Sequence, residues 1–231
     1  MSRRSRILLL TLASAAVVAL ALALLLDHPS MRPPADSAAA AARAVAENAQ
    51  GSTGFDGALL PRGVNAPDFT LSDQAGRRVS LGQYRGRVAI LTFLSTTCHP
   101  TCPLIAQQIR GALDEMSAHL AHGNLAPVLI VSANPTADTP AAVRRFLGEA
   151  ALEGRVEYLT GTPDELRAVW RAYQIVPSRL GDAESPGAAA VLLIDRAGQK
   201  RDLFQVEQLT PEALVHDIRK LENESLASQS R

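Results

Sequence analysis

Apolar and polar positions follow two regimes along the chain. From Ile7 to Leu26 almost every position is apolar, with only Thr11 and Ser14 interrupting. From about Val64 onward, short apolar runs alternate with amphipathic stretches. Phe69-Thr70-Leu71 and Arg78-Val79-Ser80-Leu81, on either side of the turn Asp73-Gln74-Ala75-Gly76, predict a hairpin. Val88 to Leu94 is a continuous apolar run suited to a buried central strand, and Ile105, Ile109, Ala112, Met116 and Leu120 then recur at helical spacing. A second strand, Val128 to Ser132, leads to a helix capped by Thr139, with Pro140 in its first turn and Val143, Phe146 and Leu147 on one side. Thr162 and Glu165 have capping-box spacing, and Thr210-Pro211 opens a last helix. Further strands are predicted at Val156 to Leu159, Val191 to Ile194 and Leu203 to Val206, the last two joined across Asp195-Arg196-Ala197-Gly198. Trp170 and Tyr173 share a helix face with Leu166 and Val169, which marks them as core. Strands alternating with helices and ending in a hairpin and a helix imply an α/β fold around a mixed sheet. No internal repeat is visible.

The first apolar run, 20 residues, would span about 30 Å as a helix, one hydrocarbon core. It exceeds the h-region of about 7 to 15 residues usual in a cleaved signal, and no clear cleavage site follows Leu26. An uncleaved anchor over residues 1–26 is therefore preferred to a signal sequence. Arg3, Arg4 and Arg6 precede it, so the rest of the chain is expected outside the cytoplasm, on the periplasmic side of a bacterial-type inner membrane. Residues 27–62, rich in Ala, Pro, Gly and Ser, read as a linker. Residues 63–223 form one domain, and 224–231 a polar, flexible tail. The 23 basic and 23 acidic residues balance, which speaks against nucleic acid as a partner.

The two cysteines of the chain lie in Cys98-His99-Pro100-Thr101-Cys102-Pro103, after the apolar strand and before the long helix. A helix N-terminus favours thiolates and so raises the reactive fraction. Three intervening residues allow the sulfurs to close a disulfide, or to clasp a soft ion, if the first turn is irregular; Pro100 and Pro103 favour that. Two thiolates suit Cu(I), whereas zinc would require further ligands. A purely stabilising disulfide would close a very short loop, where the entropic gain is smallest. Outside a reducing cytoplasm the redox state of the pair becomes a matter of function.

Thr96-Thr97-Cys98-His99-Pro100-Thr101-Cys102-Pro103 resembles the Cys-x-x-x-Cys-Pro motif of the Sco/SenC family. Ala66-Pro67-Asp68-Phe69-Thr70-Leu71, Ser132-Ala133-Asn134-Pro135 with Asp138-Thr139-Pro140, and Gly161-Thr162-Pro163 support the resemblance, which covers about Val64 to Glu222. It implies a thioredoxin-like fold, a mixed central sheet flanked by helices, behind an N-terminal transmembrane helix. It also implies Cu(I) handling or thiol-disulfide reduction by Cys98 and Cys102 in assembly of the copper centre of cytochrome c oxidase, with a membrane and a cytochrome oxidase subunit-like protein as partners. The family's third copper ligand, a histidine, should fall near Ser185-Pro186-Gly187-Ala188, where Gly187 takes its place. The expected copper site is therefore Cys98 and Cys102 with the third ligand open, and the alternative is a metal-free thiol-disulfide oxidoreductase or thiol peroxidase. Against the peroxidase, Ser95 stands three positions before Cys98 where threonine is usual. A third reading is a binding module with a structural disulfide.

The histidines offer little in compensation. His99, between the cysteines, is the nearest substitute ligand. His119 and His122 fall about 25 to 30 Å along the helix. His28 and His216 have no partner that the sequence suggests. Pro177 resembles the cis-proline that neighbours the dithiol in many thioredoxin-like proteins.

Overall fold

The computed structural model describes residues 54–119, 125–176 and 190–224. Its elements in chain order are β1 (Ala58–Leu59), β2 (Thr70–Ser72), β3 (Arg78–Ser80), β4 (Ala89–Leu94), α1 (Thr101–His119), β5 (Val128–Ser132), α2 (Pro140–Glu149), β6 (Glu157–Leu159), α3 (Pro163–Ala172), β7 (Val191–Ile194), β8 (Lys200–Phe204) and α4 (Pro211–Asn223). The main sheet runs β1-β8-β7-β4-β5-β6, and β2 and β3 form a separate hairpin. β4 is parallel to β5 and antiparallel to β7, so the sheet is mixed as expected.

β4 is buried on both faces because helices and hairpin cover the sheet from both sides. Ile90 and Leu94 face a core completed by Ile105 and Ile109 of α1, Phe146 of α2, and Leu214 and Ile218 of α4. Ala89, Leu91 and Phe93, the alternate positions, face a second core with Leu71, Val79, Leu166 and Val169. Tyr173 closes that second core, with its ring against Phe69 and Phe93 and its hydroxyl donating to the Pro67 carbonyl at 2.7 Å. Helix starts follow the sequence signals: Thr139, Thr162 and Thr210 each accept a backbone N–H of their helix. Gly111 is required by close packing, since a Cβ there would stand 2.7 Å from Cγ of Pro211 at the start of α4.

Two elements differ from the sequence reading. The last strand is Lys200–Phe204, not Leu203 to Val206, and Val206 begins a short 3-10 turn. The Asp195 carboxylate accepts the amides of Ala197 and Gln199, which tightens the turn and lets Ile194 pair with Lys200 at once. This buries Arg201 and Asp202 in the strand, contrary to an apolar pattern. Fully buried Arg201 is held by Asp195 at 3.1 Å and by both carboxylate oxygens of Glu224 at 2.8 and 3.1 Å. Second, residues 54–62 of the expected linker lie on the domain. Asp217 accepts the amides of Asp56 and Gly57, Leu60 donates to the Arg201 carbonyl, and β1 pairs with β8. Burial, and next the Asp217 carboxylate, push the Asp202 carboxyl up to about 8.

No helix of the described residues is long and apolar enough to cross a membrane. The expected anchor at 1–26, the linker up to residue 53 and the tail from residue 225 lie outside the described residues.

The Arg201 hydrogen bond lowers the Glu224 pKa from its usual 4.5. A depressed carboxylate contributes stability above its unfolded pKa and loses it as pH falls through the folded value. Glu224→Gln should therefore flatten the acid limb of a urea-unfolding series below about pH 4.5. An acid limb as steep as that of the wild type would assign the pH dependence to other carboxylates.

Candidate functional site

β4 ends at Leu94 and α1 begins at Thr101, so the connecting segment is set by the end of a buried strand and the start of a helix. Cys98 and Cys102 form a disulfide across this junction, with Cα atoms 5.4 Å apart. Cys102 sits in the first turn of α1, is only 3% exposed, and belongs to the core that holds Ile105, Ala106 and Ile109. Cys98 lies before the helix and is half-buried at the surface. Thr97, His99, Pro100 and Leu104 form an exposed rim around it. The irregular turn expected from the two prolines is present, because Cys98 is outside the helix and its amide donates to the Ser95 carbonyl at 3.3 Å.

Beneath this turn is a buried carboxylate. Asp138 is 4% exposed, and its Oδ1 accepts from the Thr96 amide at 2.8 Å, the Thr96 hydroxyl at 2.9 Å and the Ser95 hydroxyl at 3.3 Å. Its Oδ2 accepts from Ser132 at 2.6 Å and from the Tyr158 phenol at 2.9 Å. Burial, and next the Asp138 charge, push the Tyr158 phenol well above its ordinary 10. The Tyr158 oxygen also stands 3.1 Å from the Leu94 carbonyl. Ser95 and Thr97 hydroxyls are 3.0 Å apart, and Asn134 reaches Thr97 at 3.4 Å. Trp170 donates its indole N–H to the Ser132 carbonyl. One carboxylate thus ties together the ends of β4, β5 and β6 and the segment that carries Cys98.

The soft donors at this site are the two sulfurs. When reduced, they fit Cu(I), which accepts low coordination by thiolates. Among the described residues, the one group of His, Cys, Asp and Glu close enough to share an ion is Asp56, His216 and Asp217, and it contains neither cysteine. His99 lies on the exposed rim, and His119 is the last residue of α1. His28, His122, Pro177 and Gly187 lie outside the described residues.

The SCO1/SenC family profile matches residues 60–223 of the chain. The chain belongs to the SCO1/SenC family. The bovine mitochondrial protein SCO2 homolog is 29% identical over 120 residues, 51% of this chain and 43% of that protein. The human mitochondrial protein SCO1 homolog is 29% identical over 107 residues, 46% of this chain and 35% of that protein. The match therefore spans less than half the length of these mitochondrial relatives. Among solved structures, Bradyrhizobium japonicum ScoI with copper bound superposes with a TM-score of 0.52 at 25% identity, covering 68% of this chain and 99% of that one. Yeast Sco1 with copper bound gives 0.59 at 20% identity, covering 74% and 99%. These likenesses agree with the thioredoxin-like arrangement of sheet and helices described above.

The cysteine pair of this SCO1/SenC protein was legible in the sequence, whereas Asp138 was legible only as part of a helix-start motif. A signal was available: Thr139 already caps α2, so an acidic residue directly before it has no capping task. Asp138→Ala removes the acceptor of five donors, strands the buried Ser132 hydroxyl and leaves the Tyr158 phenol only the Leu94 carbonyl. A loss on the order of 3 kcal/mol is expected in urea unfolding, with faster amide exchange at Thr96. Unchanged exchange at Thr96 would show that the turn holds itself.

Proposed function

We propose that Cys98 and Cys102 act as a reversible dithiol that carries Cu(I), reduces the cysteines of a target copper site, or does both, in assembly of the copper centre of cytochrome c oxidase. The observation that carries this reading is the asymmetric pair at the start of α1, with Cys98 open to a partner and Cys102 buried. Support comes from the family membership, from the ScoI and Sco1 structures with copper bound, and from BsSco, described as a disulfide switch in a family of cytochrome c oxidase assembly proteins. In this reading the domain stands on the extracytoplasmic side of the membrane, held by an anchor at 1–26, and its partner is a membrane oxidase subunit.

In the exchange step the Cys98 thiolate attacks one sulfur of the target disulfide. The target's other sulfur leaves as a thiolate and takes a proton. Cys102, once deprotonated, then attacks Cys98 in the mixed disulfide, which restores the Cys98–Cys102 bond and leaves the target with two thiols. Two electrons have passed to the target. As cargo, Cu(I) would be held between the two reduced sulfurs, with the helix N-terminus favouring their charge. A metal-free oxidoreductase is the second reading, favoured by the disulfide itself, which works without a third ligand.

Titrating the fully reduced protein with Cu(I) against a competing Cu(I) chelator separates the two. One Cu(I) per chain, lost in the Cys98→Ser/Cys102→Ser variant, is expected; no competition by the wild type would remove copper and leave exchange as the activity. In cells, Cys98→Ser or Cys102→Ser should each abolish rescue of a deletion strain. Rescue by the double variant would exclude any role for the dithiol.

A further inference from the structure

Away from the cysteines, four polar side chains converge where the segment before β1 meets α4 and β8. Nδ1 of His216 lies 2.8 Å from Oδ1 of Asp217 and 3.0 Å from Oδ2 of Asp56. One atom from each of the three lies within 4.8 Å of the others. His216 and Asp56 have side chains 53% and 51% exposed, whereas Asp217 is fully buried. Asp217 occupies the apolar face of α4 with Leu214, Ile218 and Leu221, where a carboxylate is costly unless hydrogen-bonded, and the amides of Asp56 and Gly57 hold it there.

A second observation points the same way. Asp202 is fully buried, and its Oδ2 receives no hydrogen bond. Both oxygens of Asp202 stand under Gly57, where a Cβ would meet them at 2.5 and 2.6 Å. Gly57 and Asp56 are also the residues whose amides bind Asp217. The cluster therefore sets the Asp56 and Asp217 carboxylates and one imidazole around a single point of the backbone, with an oxygen of the buried Asp202 carboxyl left unpartnered behind them.

We propose that Asp56, His216 and Asp217 bind a divalent first-row ion of the Zn(II) or Cu(II) class, with the buried Asp202 carboxyl packed behind them. One imidazole nitrogen and two carboxylate oxygens suit these borderline ions, while Mg(II) favours an all-oxygen octahedron. A single Nδ1 hydrogen cannot be directed well at two carboxylates at once, but an ion in its place meets all three donors. Bonds of about 2.0 to 2.1 Å in a tetrahedron place ligand atoms about 3.3 to 3.4 Å apart. The two pairs that include His216 Nδ1, at 2.8 and 3.0 Å, need to open by only about half an ångström to reach that, which the half-exposed His216 and Asp56 allow. The fourth position faces solvent and would hold water. The ion would clip the entering segment, Asp56 to Leu59, to α4.

The test is a Zn(II) titration of the full-length protein with its disulfide intact, so that the result is independent of copper binding by the reduced dithiol. One Zn(II) per chain is expected for the wild type, with affinity at least tenfold weaker in His216→Ala and in Asp56→Asn. Both replaced side chains are half exposed, so the fold should survive, and thermal melting without metal checks this. Zn(II) should raise the melting temperature of the wild type but not of His216→Ala. Cu(II) in place of Zn(II) should show electron-spin coupling to a single imidazole nitrogen that disappears in His216→Ala. No saturable binding by the wild type, or binding that His216→Ala leaves unchanged, would overturn the proposal.

Discussion

A carboxylate taken out of water must find donors, and Asp138 finds five of them from three strand ends and the cysteine turn. The parallel pairing of β4 with β5 and of β5 with β6 brings Ser95, Ser132 and Tyr158 to the same edge of the sheet. Any relative sliding of those strands would leave a buried charge short of partners, at a cost well above that of a surface hydrogen bond. The network therefore fixes the register of the edge from which the Cys98 segment departs. The position of Cys98 follows from that register and from the turn bond to Ser95.

The same junction explains why the two cysteines differ. Cys102 is inside the first turn of α1 and on its core face, so its sulfur is sealed by Ile105, Ala106 and Ile109. Cys98 is carried by an irregular segment held from below by Asp138, and its upper side is open among polar and small apolar neighbours. Rigidity from beneath and exposure from above suit the exchange step proposed for Cys98. The α1 N-terminus lowers the cost of charge on whichever reduced sulfur is deprotonated.

On the opposite edge of the sheet the polar interior is organised differently. Arg201 is matched by Asp195 and Glu224, a buried cation with its charge balanced. Next to it along β8, Asp202 faces Asp217 with no such balance. Residues 56–60 enter the fold at this edge.

Sequence by itself determined the α/β class, the central strand, the helix starts and the cysteine pair at a strand-to-helix junction, because each depends on local spacing. A continuous apolar run shows that Val88 to Leu94 is a buried central strand without any partner being known, and Thr-Pro capping signals act within one turn. It misplaced β8, since an apolar pattern cannot anticipate that Arg201 and Asp202 are buried beside charges from Asp195, Glu224 and Asp217. It also left residues 54–62 in the linker, because β1 is two exposed residues held by backbone bonds to β8 and by Asp217, which lies 160 positions from Gly57. Only the tertiary structure decided the roles of Asp138, Asp202 and Asp217. A buried polar residue is explained by its partners, and those partners come from elements far apart in the chain.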